Sequence, residues 1–359
     1  MENREQQPVD ILLNQIREEE GEAFVFDREK IGAEASPSSP LFTNLPVKLL
    51  TIFGGIVASG FFLGFLMLAG LYDSHVGMLL VGLLFVVGSV IVVWLKSDTM
   101  METFCVSCNI IGYLLFGVGF SELFDSELWL CLSLAALATG VLVVTANTIL
   151  NLLAVLVLNG SLAGIIFLYK AFNLMHGYIG LAAALLTYMS LREAELISRG
   201  NWLNRVYRPV RIGLILTLVA ALVLLVHQQM LSSGITHYWL SGIFLIAALL
   251  YVVSKVIRQA AVTDQKLELL LYGCCCLVLA PTVFAPSIPG ALLIMVSSFY
   301  IGHRTGFGIG LLALLYFIIL YYYDLQFTLL AKAGILVLSG SLFIGGYLLL
   351  QKYIRSHAE

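Results

Sequence analysis

Charge is what this chain has least of. Asp, Glu, Lys and Arg make up 11% of its 359 residues, against roughly a quarter in a soluble domain, while 60% are hydrophobic. Mean hydropathy is +0.97. A soluble enzyme is excluded on that ground, and with no basic arm among its 19 Lys and Arg residues the chain offers nucleic acid no docking strip. The motifs of common hydrolytic chemistry are missing too. There is no Gly-rich phosphate loop ending in Lys-Ser/Thr, no His-Glu-x-x-His and no Gly-x-Ser-x-Gly. No cofactor and no metal ion is expected. The six cysteines (105, 108, 131, 274, 275 and 276) all fall inside or at the edge of apolar segments, which excludes a secreted disulfide framework. Residues 1–20 are polar and lack the apolar core of a signal peptide, so insertion is expected to be driven by the first spanning helix.

What the chain does have is long apolar runs. Twelve can be counted from Val47 onward: 47–71, 76–95, 101–120, 127–145, 148–169, 172–190, 211–231, 237–256, 267–284, 289–302, 305–323 and 328–350. About 20 apolar residues cross the hydrocarbon as a helix, and the runs are too long and too continuous for barrel strands. The fold class is therefore all-α, a polytopic transmembrane helical bundle of about twelve spans, the tenth being the shortest. The longest polar interruption, Leu191–Arg211, carries Arg192, Arg199, Arg205, Arg208 and Arg211. It divides the chain into six plus six spans: a half over 47–190, a basic cytosolic loop over 191–211, and a half over 212–350. Residues 1–46 form an acidic cytosolic extension with a short amphipathic helix at 9–20, and 351–359 a cytosolic tail.

The distribution of basic residues supports that count. With both termini cytoplasmic, 17 of the 19 Lys and Arg lie on the inside and only Lys170 and Lys332 outside, as retention of Lys and Arg on the cytoplasmic face requires. An inner membrane is the expected location.

Functional leads come from polar residues at membrane depth, which must find partners because hydrocarbon offers none. The third span begins METFCVSCNIIG, and helical geometry puts Glu102, Cys105, Cys108 and Asn109 on one face. A Cys-x-x-Cys pair suits redox chemistry or a soft metal, but no second pair or His-x-x-x-His completes a metal site. Packing of small side chains is the simpler reading. The fifth span carries Asn147, Asn151 and Asn159. The sixth carries Asn173, His176, Gly177, Gly180, Ala184 and Thr187 on a narrow stripe, with His176 the one imidazole on these faces. Interhelical hydrogen bonding accounts for them most simply. The sharper alternative is a polar cavity lined by spans three, five and six, with Glu102, Cys105, Asn109, Asn147, Asn151 and His176 around it. Pro281, Pro286 and Pro289 mark an external turn before the tenth span.

The end of the chain is its most distinctive text: YYYDLQFTLLAKAGILVLSGSLFIGGYLLL. Tyr321–Tyr323, Asp324, Leu325, Thr328-Leu329-Leu330, Lys332 and Gly340 form a spaced pattern. It resembles the bacterial multi-pass membrane family catalogued as domain of unknown function four-four-zero-one, with Ala333 where the family pattern has Ser. Members look like relatives of the family numbered two-one-five-seven and tend to be encoded beside a small membrane-anchored protein named for its GDYXXLXY motif. The resemblance brings no known activity, cofactor or catalytic residue. It implies Tyr323, Asp324, Thr328 and Lys332 as motif contacts and the GDYXXLXY-type protein as partner, besides the lipid bilayer. A non-enzymatic membrane component assembling with that partner is the first reading. A permease using the polar faces is the second, and a membrane redox enzyme using Cys105 and Cys108 the third. Lys332 either snorkels to the headgroups or pairs with a carboxylate such as Asp324, Glu122 or Asp125.

Overall fold

Long apolar runs with few helix breakers leave the backbone only one way to satisfy its N–H and C=O groups in hydrocarbon, and every regular element described is helical. The computed structural model describes residues 57, 60–66, 68–70, 73–95, 99–198, 200–227, 237, 239–259, 271–273, 275, 276, 278–324, 337, 340, 341, 344 and 345. The helices are α1 His75–Leu95, α2 Thr99–Phe124, α3 Glu127–Val144, α4 Thr148–Leu168, α5 Leu174–Leu191, the short α6 Glu193–Ser198, α7 Asn201–Val226, α8 Trp239–Gln259, α9 Ser287–Ile301 and α10 Arg304–Asp324. Eight of them are long and apolar enough to cross a membrane. They coincide with expected spans two to eight and eleven; α9, at 15 residues, is the short tenth. The first, ninth and twelfth spans, the 9–20 helix and the C-terminal tail lie wholly or partly outside the described residues.

The chain forms two units, residues 1–69 and 70–359. In the first, residues 60–66 are helical and Gly60 and Gly64 have open space beside them. The second holds all ten helices. Its outside is strongly apolar: Leu84, Trp94, Leu181 and Leu312 stand exposed, as lipid-facing side chains do. Burial from water is not what joins such helices, since lipid tails are as apolar as leucine; close packing and interhelical hydrogen bonds are.

Close packing is most marked between α1 and α2. A Cβ on Gly112 would lie 2.9 Å from the Gly82 carbonyl oxygen, and one on Gly119 would lie 2.6 Å from the Leu79 nitrogen. Backbone meets backbone there, a geometry only glycine permits. Cys105 is one heptad before Gly112, buried on the same stripe. A second close approach occurs where Gly242 of α8 faces the Val283 carbonyl in the 3₁₀ turn Ala280–Phe284. Pro281 lies in that turn, Pro286 caps α9 and Pro289 is in its first turn, so the proline cluster ends one element and starts the next.

Two apolar cores result among the described residues. One joins α1, α2, α3 and α4 through Val86, Tyr113, Ala138, Val141 and Ala154. The larger joins α5, α7, α8, α9 and α10, with Ile179, Leu218, Leu222, Leu245, Ile294 and Phe317 at its centre. The six-plus-six grouping divides the polypeptide at its polar connector; the cores divide elsewhere, because the small-residue stripe of α5 lies against α8, beyond the connector. The connector itself differs from the expected loop. It folds as α6 and, after Gly200, as the first three turns of α7, which run through Arg205, Arg208, Pro209 and Arg211 into the apolar stretch without a break. Pro209 lacks the N–H that would reach the Arg205 carbonyl, a loss tolerable near the polar end of the helix.

Candidate functional site

Of the polar residues singled out by sequence, Glu102, Asn109, Asn147, Asn151 and His176 each make a side-chain hydrogen bond, at several different interfaces. Asn147 is the N-cap of α4: its side-chain oxygen accepts from the Ile149 and Leu150 N–H groups at 2.9 and 3.1 Å, and its amide donates to Glu102 of α2. Glu102 and Asn147 are thus brought together. Asn109, fully buried, donates to Ser89 Oγ of α1 at 2.9 Å, and Ser89 passes a hydrogen bond to the Val86 carbonyl. Asn151, also fully buried, donates to the Thr145 carbonyl at 3.0 Å. His176 is 2% exposed, and its Nδ1 lies 2.6 Å from Ser241 Oγ across the α5–α8 interface. Asn109, Asn151 and His176 therefore sit at the α1–α2 seam, the start of α4 and the α5–α8 interface. Among the described residues, four buried oxygens in the first core have no hydrogen-bond partner: Asn109 Oδ1, Tyr113 OH, Thr145 Oγ1 and Asn151 Oδ1.

Cys105 is buried and Cys108 partly buried, both as free thiols. Among the described residues no three His, Cys, Asp or Glu side chains gather as a metal ion requires. Tyr323 is exposed near the end of α10, with its ring 5.8 Å from that of Tyr322. Asp324 is the last residue of α10; its side chain, Thr328 and Lys332 lie outside the described residues, and with them the Lys332 pairing.

Sequence reasoning missed a charged cluster built around Arg211. That side chain is 7% exposed, and its Nη1 donates to Glu193 of α6 at 3.0 Å. The guanidinium also lies over the Tyr207 ring, 5.1 Å from its centroid, and the Tyr207 hydroxyl donates to the Met189 carbonyl at 3.0 Å. Arg211 and Tyr207 together tie α7 to α6 and α5; among the described residues Arg211 Nε has no partner. His303 closes the cluster from the α9–α10 corner. Gly302 adopts a left-handed conformation (φ +74°) that turns the chain, and the His303 N–H returns to the Ser298 carbonyl. Its Nδ1 accepts from the Gly306 N–H at 2.9 Å, which makes it the cap of α10 and places the ring proton on Nε2. Burial, and then the charges of Arg211 and Arg208, hold the His303 pKa below its ordinary value. One cue was present in the sequence: Arg211 follows Tyr207 by four residues, the spacing at which a cation and a ring meet on a helix.

A polytopic helical membrane bundle with polar side chains locked between its helices, and a charged cluster around Arg211, is the class these features define. The chain belongs to the family DUF4401, a domain of unknown function, which it matches over residues 44–353. No curated protein and no solved structure matches it.

Proposed function

We propose that this protein is a non-enzymatic component of a bacterial inner membrane that assembles with a small membrane-anchored partner of the GDYXXLXY type. The observation that carries the reading is that Asn109 and Asn151 each direct their side-chain amide N–H, and His176 its Nδ1, to a partner at their own interface. Polar groups used this way specify how helices pack; a solute path would need them turned toward a common space. The test is purification of the full chain from its native membrane in mild detergent after crosslinking. The expected result is one small membrane-anchored protein retained in comparable amount. A chain recovered alone and monodisperse overturns the reading.

Orientation is part of the same proposal. Arg192, Arg205, Arg208, Arg211, Lys255, Arg258 and Arg304 fall at helix ends or in connectors on what would be one face of the membrane. Reporter fusions at Gly200 and Ala260 should read cytoplasmic, and fusions at Ser74 and Ser232 external. An external reading at Gly200 removes the assignment.

A permease is the second reading, favoured by the four unpartnered oxygens of Asn109, Tyr113, Thr145 and Asn151. Solute flux in proteoliposomes that vanishes in a folded Asn109→Leu variant would place it ahead of the first.

A further inference from the structure

Helices α5 and α8 run parallel, and their register can be followed along the pair. His176 bonds Ser241, and one turn on Gly180 lies against Phe244, whose ring a Cβ there would meet at 3.3 Å. Continued at helical spacing, that register runs through Ala184 and Ala248, then Tyr188 and Tyr251, all of which line one groove, toward Arg192 and Lys255. The helices touch at Gly180 and Phe244; beyond that point the two alanines are too small to close the gap. A groove of about 350 Å³ opens there, and both tyrosines line it.

Arg192 belongs to the lining, and Lys255 follows the lining residue Tyr251 by one helical turn on the other wall. The Arg192 guanidinium lies over the Tyr188 ring, 5.7 Å from the centroid, and the Lys255 ammonium over the Tyr251 ring at 5.6 Å. Each cation is thus held over a tyrosine that lines the groove. Arg192 Nη1 also bonds Glu195 at 2.9 Å, an exposed contact that occupies only part of its donor fork. Thr187, 5% exposed, belongs to the lining, and its hydroxyl has no hydrogen-bond partner. An apolar trough of small residues, an unused hydroxyl and a cation stacked on each of the two lining tyrosines match, in that order, an acyl chain, an ester carbonyl and a phosphate. A protein helix would fill the trough equally well, but it would leave the paired cations unexplained.

We propose that the α5–α8 groove is a binding site for an anionic diacyl phospholipid, with one acyl chain against Ala184 and Ala248 and the headgroup phosphate between Arg192 and Lys255. The site needs no protein partner and does not depend on the assembly reading above. Basic pockets between spanning helices are where such headgroups bind.

The experiment uses the full-length protein in detergent with phosphatidylglycerol carrying a photoreactive acyl chain, and the phosphatidylcholine counterpart for comparison. Label from phosphatidylglycerol should fall on the peptides holding Ala184 and Ala248 in clear excess over phosphatidylcholine. Arg192→Gln and Lys255→Gln should each weaken phosphatidylglycerol labelling by about fivefold and leave phosphatidylcholine labelling unchanged. Arg205→Gln, which removes an exposed cation outside the groove, should change neither. Ala184→Phe should fill the trough and abolish labelling at Ala248, with the protein still monodisperse because Ala184 is exposed. Equal labelling by both lipids, labelling indifferent to Arg192→Gln and Lys255→Gln, or a co-purified protein helix crosslinked at Ala184 would overturn the proposal.

Discussion

Gly112→Leu is expected to unfold the pairing of α1 with α2, and Gly112→Ala to weaken it severely. A Cβ at residue 112 would lie 2.9 Å from the Gly82 carbonyl oxygen and 2.9 Å from the Val86 nitrogen. Both are backbone atoms of a helix and cannot rotate away. Added methylenes in a packed interior cost about 1–3 kcal/mol when side chains can adjust, and occasionally more. Here nothing can adjust short of separating the helices, so Gly112→Ala should cost about 3 kcal/mol, outweighing the roughly 1 kcal/mol by which alanine favours a helix. Gly117, on the same helix with nothing within 4 Å of its Cβ position, is the internal control. Gly117→Ala should be neutral or stabilising by up to about 1 kcal/mol. Thermal unfolding of the purified variants, with size-exclusion profiles, separates the two. Equal stability for Gly112→Ala and Gly117→Ala would mean the backbones do not approach as closely as described.

That seam also illustrates what could be read from the sequence. The spans themselves were legible because each is a continuous apolar run, and hydrocarbon forces such a run to be helical; α1 to α5, α7, α8 and α10 lie where the hydropathy places them. The glycines of the seam were visible as residues but not as a seam. Gly112 and Gly119 repeat at seven residues, yet with 32 glycines in the chain a spacing carries little information until the partner helix is known. Polar side chains behaved likewise. Asn109 could be recognised as needing a partner, but its partner is Ser89, an unremarkable serine in the preceding span. Interhelical pairing depends on rotation and register, which hydropathy does not contain. The helical form of the connector is hidden in the sequence for a further reason. Five arginines and a proline suggest a loop, but arginine is a good helix former, and past Gly200 the chain needs only water around its polar side to remain helical into the membrane.

The Arg211 cluster gives the other large expected effect. Glu193→Gln should cost about 3 kcal/mol or more, because it leaves a guanidinium that is 7% exposed without its counter-charge. Arg211→Met should cost less than Glu193→Gln, since the partly exposed Glu193 can turn to solvent. The double variant should be more stable than Glu193→Gln alone, for a buried ion pair contributes little beyond what a well-packed apolar side chain of similar volume supplies. Acid should act on the same cluster through His303. In the folded protein its Nδ1 accepts a hydrogen bond from Gly306, and burial together with Arg211 and Arg208 holds its pKa below the ordinary 6.5. The unfolded chain therefore takes up the proton at higher pH than the folded one. The stability contributed by neutral His303 is complete above 6.5 and is lost progressively as pH falls below that value. Protonation removes the acceptor that caps α10 and sets a third positive charge beside two arginines. His303→Asn keeps a capping oxygen without the titration, and should flatten the dependence between about pH 7.5 and about pH 5.5. Unfolding in detergent across that range measures both effects. An unchanged slope in His303→Asn would show that the acid sensitivity resides elsewhere. Glu193→Gln unfolding like the parent would mean that Arg211 reaches water and needs no partner.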